Sequence, residues 1–273
     1  MENPHAISLS LVPRALLGVL SLLLGNAFIV GINQIYDVEI DKINKPDLPV
    51  ASGAMSNRLA WRLVLGSLAL GPAIVRKNFS PLIFRLYSFG LLVGALYSVP
   101  PFSLKRFPVA AGLIIACVRG FLLNFGVYYA VREALGLGFR WNPAVLFLAR
   151  FMTVFAGVIA VTKDLPDVKG DRKYNIATFA SKKGVNFTAK AACAVLALNY
   201  VSAIVQGSLS PGTREMPPGA FNKRVMVGGH ALLLVGLGVT LRRLAVDSQE
   251  SIKVFYRRIW NLFYLEYAMY PFI

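Results

Sequence analysis

The feature that most constrains this chain is a series of apolar runs, each near twenty residues long, repeated from residue 11 almost to the C-terminus. About twenty apolar residues are what an α-helix needs to cross a hydrocarbon core of about 30 Å. Eight candidate spans result, over residues 11–36, 58–75, 82–99, 107–130, 143–162, 186–206, 225–241 and 254–272. The second and seventh are short, and Glu266 interrupts the last. Of the 273 residues 56% are hydrophobic, and mean hydropathy is +0.59. A soluble core of this size cannot bury so much apolar surface, so the bilayer is the solvent for the surplus. The predicted fold class is all-α, a polytopic transmembrane helix bundle. No soluble domain or low-complexity linker interrupts the series, so residues 1–273 read as one membrane domain.

The formal charge of +16 does not point to nucleic acid. The basic residues sit in short loops between apolar runs, where they orient spans and meet anionic lipid or ligand. With eight spans, loops 37–57, 100–106, 163–185 and 242–253 share one face of the membrane. They carry Lys42, Lys45, Lys105, Arg106, Lys163, Lys169, Arg172, Lys173, Lys182, Lys183, Arg242, Arg243 and Lys253. The other face has only Arg76, Lys77, Arg132, Arg140, Arg214, Lys223 and Arg224. That bias makes the first face the cytoplasm- or stroma-like side. Cys117 and Cys193 lie in apolar stretches and read as core thiols, neither bridged nor metal-bound. His5 and His230 are too far apart to suggest a metal pair by spacing. Met1 is followed by no basic, Ser-rich presequence, so no transit peptide is visible.

Two acidic clusters fall on the more basic face. In the first, Asn33, Asp37 and Asp41 are spaced i, i+4, i+8, which puts three oxygen-bearing side chains on one face of a helix that Pro46 then stops. In the second, Asp167 and Asp171 repeat the i, i+4 spacing with Asp164 one turn earlier, although Pro166 and Gly170 interrupt the helical pattern. A carboxylate at the bilayer centre costs about 2.5–3.5 kcal/mol, so acids at span ends call for water or cations. Magnesium commonly bridges one or two carboxylates to substrate phosphates, and two facing clusters can hold it against one diphosphate. One cluster alone is also what a solvated helix end looks like. Two on one face, in a chain with 13 acids, are not.

Lys45, Arg172 and Lys173 follow the acids closely in sequence, and Lys105 and Arg106 fall in another loop of the same face; all can bind diphosphate oxygens and stabilise departing pyrophosphate. For any one of them, positive-inside anchoring is the plainer role. Arg119, with Asn124 below it, lies well inside the fourth span, where an arginine marks a functional site unless an ion pair within the bundle neutralises it. Tyr97, Phe121, Phe125 and Tyr128 can stabilise a cation by π contact, worth about 2 kcal/mol or more when desolvated, or simply pack.

Together the motifs N33-x-x-x-D37-x-x-x-D41, Tyr97…Lys105-Arg106 and D167-x-x-x-D171 resemble the UbiA superfamily of intramembrane prenyltransferases over nearly the whole chain. Within it, GINQIYDVEIDKINKPDLP, YSVPPFSLKRFPVAA, VRGFLLNFGVYYA, TKDLPDVKGDRKYNIATFA and IWNLFYLEY are similar to the plastid homogentisate prenyltransferases, above all to those that transfer solanesyl. The resemblance implies a helix bundle around a central cavity open to lipid, in a plastid membrane. It also implies magnesium-dependent transfer from a polyprenyl diphosphate to homogentisate with loss of carbon dioxide, giving a methyl-prenyl-benzoquinol for plastoquinone. By that resemblance Asn33, Asp37 and Asp41 match the first metal-diphosphate motif, and Asp164, Asp167 and Asp171 the second. Lys45, Lys105 and Arg106 match diphosphate contacts, and Arg119 and Asn124 match polar cavity residues. Tyr97 is expected near the allylic carbon, and Tyr97, Lys105 and Asp171 nearest the chemistry.

Three positions depart from the family pattern. Lys169 stands where the plastid enzymes carry Glu; on a helix it points away from Asp167 and Asp171, so tolerance is expected. Asn175 stands where many members have Gly. The family has nine spans, and the first span here already carries the motif of the family's second helix, so an opening helix is expected to be missing. Phytyl or geranylgeranyl specificity, an inactive pseudoenzyme and a cation-coupled transporter are the alternatives, the last disfavoured by acids at span ends beside basic residues.

Overall fold

A computed structural model describes residues 8–174, 176–210 and 221–273. His5, Asn175 and Arg214 lie outside the described residues. Among the described residues every regular element is helical. Seven helices are long and apolar enough to cross a membrane: Leu9–Tyr36, Asn57–Asn78, Pro81–Ser98, Pro108–Ala134, Pro143–Thr162, Val185–Leu209 and Arg224–Arg242. The eighth predicted span forms a helix, Gln249–Met269, but falls short in hydropathy. Glu250, Lys253, Arg257, Arg258 and Glu266 dilute its apolar content.

The chain divides into two units, residues 1–114 with 125–140, and residues 115–124 with 141–273. The first contains α1 (Val12–Tyr36), α2 (Val38–Asn44), α3 (Asn57–Asn78) and α4 (Pro81–Ser98). It also holds most of α5 (Pro108–Ile115) and α6 (Leu123–Ala134). Pro81 opens α4 where a missing N–H costs nothing, and Ser56 caps α3 by accepting the Leu59 amide. Around Tyr87, α1, α3 and α4 close on one another. Its hydroxyl donates to the Ser21 carbonyl at 2.7 Å. Its ring lies where any side chain at Gly71 would have to stand. Phe28, Ile32, Val64 and Leu91 form the small core. At the start of α1, Arg14 pairs with Glu133 at 3.0 Å.

The second unit contains α7 (Pro143–Thr162), α8 (Val168–Lys173), α9 (Phe179–Lys183), α10 (Val185–Leu209), α11 (His230–Arg242) and α12 (Gln249–Met269). Asn142 caps α7 by accepting the Ala144 and Val145 amides. Phe151, Phe155, Leu196, Tyr200, Met226 and Ile259 are fully buried around α7. In that core His230 Nε2 lies 3.2 Å from Glu266 Oε1, and both side chains are wholly enclosed. His230 Nδ1 donates to the Met226 carbonyl at 2.6 Å. The acid that interrupts the last apolar run is therefore a packing partner of α11.

The expectation for the cysteines needs one correction. Cys193 is buried, but Cys117 is exposed on the surface of its helix; neither is bridged. In a membrane protein an apolar stretch does not distinguish a packed face from a lipid-facing one.

Candidate active site

In the first unit the hydrogen-bond ladder runs unbroken through the first motif. The Asp37 amide donates to Asn33, Asp41 to Asp37 and Lys45 to Asp41, at 3.0, 2.8 and 2.7 Å. Helical geometry bends at Asp37 (φ −107°, ψ 9°) between α1 and α2, yet the column of Asn33, Asp37, Asp41 and Lys45 is kept. Asp41 is buried and Lys45 exposed.

The loop after α4 returns to this column. Ser103, in the left-handed region at φ 39°, donates from its hydroxyl to the Ser98 carbonyl. The next residues form a short 3-10 turn, Leu104–Arg106. That turn brings Lys105 Nζ to 2.6 Å from Asp37 Oδ1. Asn33 Nδ2 donates to Ser98 Oγ at 3.2 Å, tying the top of the column to the end of α4. Tyr97 is half-buried beside it, and Arg106 is exposed. Phe125 and Tyr128, offered as cation-stabilising rings, pack against Phe139.

In the second unit, α7 ends at Thr162 and the chain turns through Asp164 into α8. The Asp167 amide donates to Asp164 at 3.3 Å and the Asp171 amide to Asp167 at 3.0 Å. Asp167 and Asp171 are buried, while Lys169, Arg172 and Lys173 are exposed. Lys163 pairs with Asp164 at 2.8 Å. Burial, reinforced by the charges of Asp164 and Asp167, pushes the Asp171 carboxyl up to about 7; Thr178 and Lys163 pull it partly back. The Thr178 hydroxyl, which also caps α9, donates to Asp171 Oδ2 at 3.3 Å. From the start of α12, Gln249 donates to the Pro166 carbonyl at 2.7 Å and fixes the turn.

Arg119 and Asn124 belong to a π-helical turn, Ala116–Leu122, and the residue pair that follows it. Asn124 donates to the Gly120 carbonyl and accepts from the Tyr267 hydroxyl at 3.1 Å. The Arg119 guanidinium lies 5.0 Å from the centre of the Trp260 ring. Trp260, Tyr267, Thr178 and Gln249 were not singled out from sequence, because only their spatial neighbours give them a role. A cavity of about 400 Å³ opens along α7 and α10, walled by Val154, Val158, Val161, Phe187, Ala191 and Val195. It has no charged lining and suits hydrocarbon rather than phosphate.

Among the described residues no three His, Cys, Asp or Glu side chains converge to hold an ion. The chemistry of the donors nevertheless fits magnesium. The acids supply only oxygen, and the burial and like-charge repulsion that raise Asp171 are what a divalent cation would offset. Magnesium also keeps waters and phosphate oxygens as ligands, so a complete protein cage is not required.

The UbiA prenyltransferase family model matches residues 1–262. The chain is 53% identical over its whole length to a probable homogentisate phytyltransferase 2, chloroplastic, of Oryza sativa subsp. japonica, 71% of which is covered. It is 51% identical to a chloroplastic homogentisate solanesyltransferase of Arabidopsis thaliana, again over the whole chain and 69% of that protein. A UbiA homologue from Archaeoglobus fulgidus, solved with GPP and Mg2+, has the same fold: TM-score 0.60 at 18% identity, covering 94% of this chain and 87% of the other.

Proposed function

Because the chain belongs to the UbiA prenyltransferase family, we propose that it transfers a polyprenyl group from its diphosphate to homogentisate, with magnesium, in a plastid membrane. The observation that carries this is the meeting of Asp37 and Lys105 at 2.6 Å. Anchoring a metal diphosphate needs carboxylates for the metal and cations for the phosphate in one place, and this pair supplies both. Two relatives about half identical to this chain over its length are named for the same acceptor and for different donors. Solanesyl is the proposed donor group. Phytyl is the second possibility, on the name of the rice relative.

Asp37 and Asp41 would hold magnesium in the first unit, as Asp164, Asp167 and Asp171 would in the second. Bound there, magnesium supplies positive charge beside the diphosphate. Lys105, with Lys45 and Arg106, stabilises the charge that grows on pyrophosphate as the allylic C–O bond breaks. An apolar surround keeps water from the allylic cation, with Tyr97 beside the reacting carbon. The aromatic ring carbon then forms the new C–C bond and loses its proton. The acetate side chain of homogentisate loses carbon dioxide and takes up a proton, leaving a methyl group. The products are a methyl-prenyl-benzoquinol, carbon dioxide and pyrophosphate, with a place on the route to plastoquinone.

The test is an assay in isolated membranes with labelled homogentisate, magnesium, and solanesyl, phytyl and geranylgeranyl diphosphates in turn. The Asp37→Ala, Asp167→Ala double variant is the blank. Magnesium-dependent product above the blank supports transfer, and the preferred donor decides between solanesyl and phytyl. Absence of product with every donor overturns the assignment.

A further inference from the structure

Arg119 stands 11 residues into the span Pro108–Ala134. At 1.5 Å per residue that is roughly 16 Å from its start, near the middle of a hydrocarbon core of about 30 Å. A charge at that depth is expensive unless something pairs with it. Among the described residues Arg119 makes neither a hydrogen bond nor an ion pair, and its contact is the face of Trp260 at 5.0 Å. The buried acid of α12, Glu266, is paired with His230 instead. The guanidinium donors of Arg119 therefore have no acceptor among the described residues.

Asn124 adds a donor of the same kind. A carbonyl only accepts, so the amide end facing Gly120 O at 2.6 Å is the NH2 group. The side-chain oxygen then receives the Tyr267 hydroxyl at 3.1 Å. One N–H of Asn124 is left with no acceptor among the described residues. A cation and a spare N–H, with the Asn124 oxygen already accepting from Tyr267, form a site that suits an anionic oxygen group.

The π-helical turn is what puts the two side chains together. In an α-helix, residues five apart lie about 140° apart around the axis. A π-turn inserts one residue, so i+5 takes the place one turn below i. Ala116–Leu122 is such a turn, and it brings position 124 toward the face of position 119. Gly120 lets it lie directly on α7, because any side chain there would collide with the Thr153 backbone. Trp260 and Tyr267, seven residues apart, share one face of α12 and hold the pair from the other side.

The site is distant from the acids of its own unit. Thr153 is nine residues before the end of α7 at Thr162, roughly 14 Å along the axis. A diphosphate held by Asp164, Asp167 and Asp171 would not reach it. A second ligand, separate from that diphosphate, is what the site would take.

We propose that Arg119 and Asn124 bind the carboxylate of the aromatic acid acceptor, and that Trp260 and Tyr267 are positioning residues that hold them. The inference rests on the prenyl-transfer function proposed above. It is tested on the purified full chain in nanodiscs by calorimetric binding of homogentisate, its methyl ester and a non-cleavable prenyl diphosphate analogue with magnesium, alongside KM values. Expected for Arg119→Met and Tyr267→Phe is a loss of roughly tenfold or more in homogentisate affinity, a matching rise in its KM, and unchanged binding of the ester and the analogue. Trp260→Phe retains acid binding and Trp260→Leu loses it. Unchanged homogentisate affinity in Arg119→Met overturns the inference, as does equal weakening of acid and ester. If wild type forms no product but binds homogentisate through Arg119, the site stands and the transfer function falls. If wild type binds no homogentisate, the site falls as well.

Discussion

Lys105 and Asp171 are the two residues at which structure adds most to sequence. Lys105 sits 68 positions from Asp37, and only the turn after α4 brings them to 2.6 Å. Lys105→Ala is expected to lower kcat by about 10²- to 10³-fold, the scale for losing one preorganised charge at a departing group. Lys105→Arg retains part of the rate, and comparison of the two in the membrane assay checks it. Asp171 gives a pH dependence with a definite sign. Its carboxyl is raised to about 7 in the fold, against about 3.9 in an unfolded chain. Between those values the native state binds the extra proton, so without metal the protein is more stable as pH falls from about 7 toward 4. Magnesium held at Asp171, as proposed, would compete with that proton. Thermal unfolding should therefore show more stabilisation by magnesium at pH 7.5 than at pH 6, and Asp171→Asn should remove the difference.

At the scale of elements, close approach of backbones decides what each helix tolerates. Gly120 is pressed against the Thr153 backbone, whereas a Cβ at Gly126, six residues on in the same span, would meet nothing. Gly120→Ala should destabilise by about 1–3 kcal/mol through overpacking. Gly126→Ala should be neutral or stabilise by up to about 1 kcal/mol through helix propensity. Thermal unfolding in detergent separates the two. The α11–α12 contact has its own test, since Glu266 and His230 are both wholly enclosed. Glu266→Ala leaves the buried imidazole without its partner, at a cost of about 1–3 kcal/mol plus the cavity, while Glu266→Gln keeps volume and hydrogen bond and should cost less.

For the whole molecule, seven helices suited to crossing a bilayer predict behaviour that no residue explains alone. Alkaline carbonate should leave the protein in the membrane pellet, and detergent should release it. Recovery in the carbonate supernatant would contradict the membrane assignment. The apolar runs and the i, i+4 acids were legible in the sequence because helix length and helical periodicity are local properties. The span Gln249–Met269 was legible as a helix but not as a structural role. Its Glu266 reads as an interruption until His230 is placed beside it, and Trp260 and Tyr267 gain a role only where they meet Arg119 and Asn124.

Sequence by itself determined the all-helical membrane class, seven of the spans, and the i, i+4 register of the two acidic motifs. Each follows from a rise of 1.5 Å per residue and a turn of 3.6. Tertiary structure alone decided that Lys105 meets Asp37, that Asp171 is buried beside two like charges, that Cys117 faces outward, and that Trp260 and Tyr267 meet Arg119 and Asn124. The physical reason is that charge pairing, desolvation and close packing depend on which surfaces face one another. Lipid-facing and packed helix faces draw on the same apolar residues, so a linear pattern does not tell them apart.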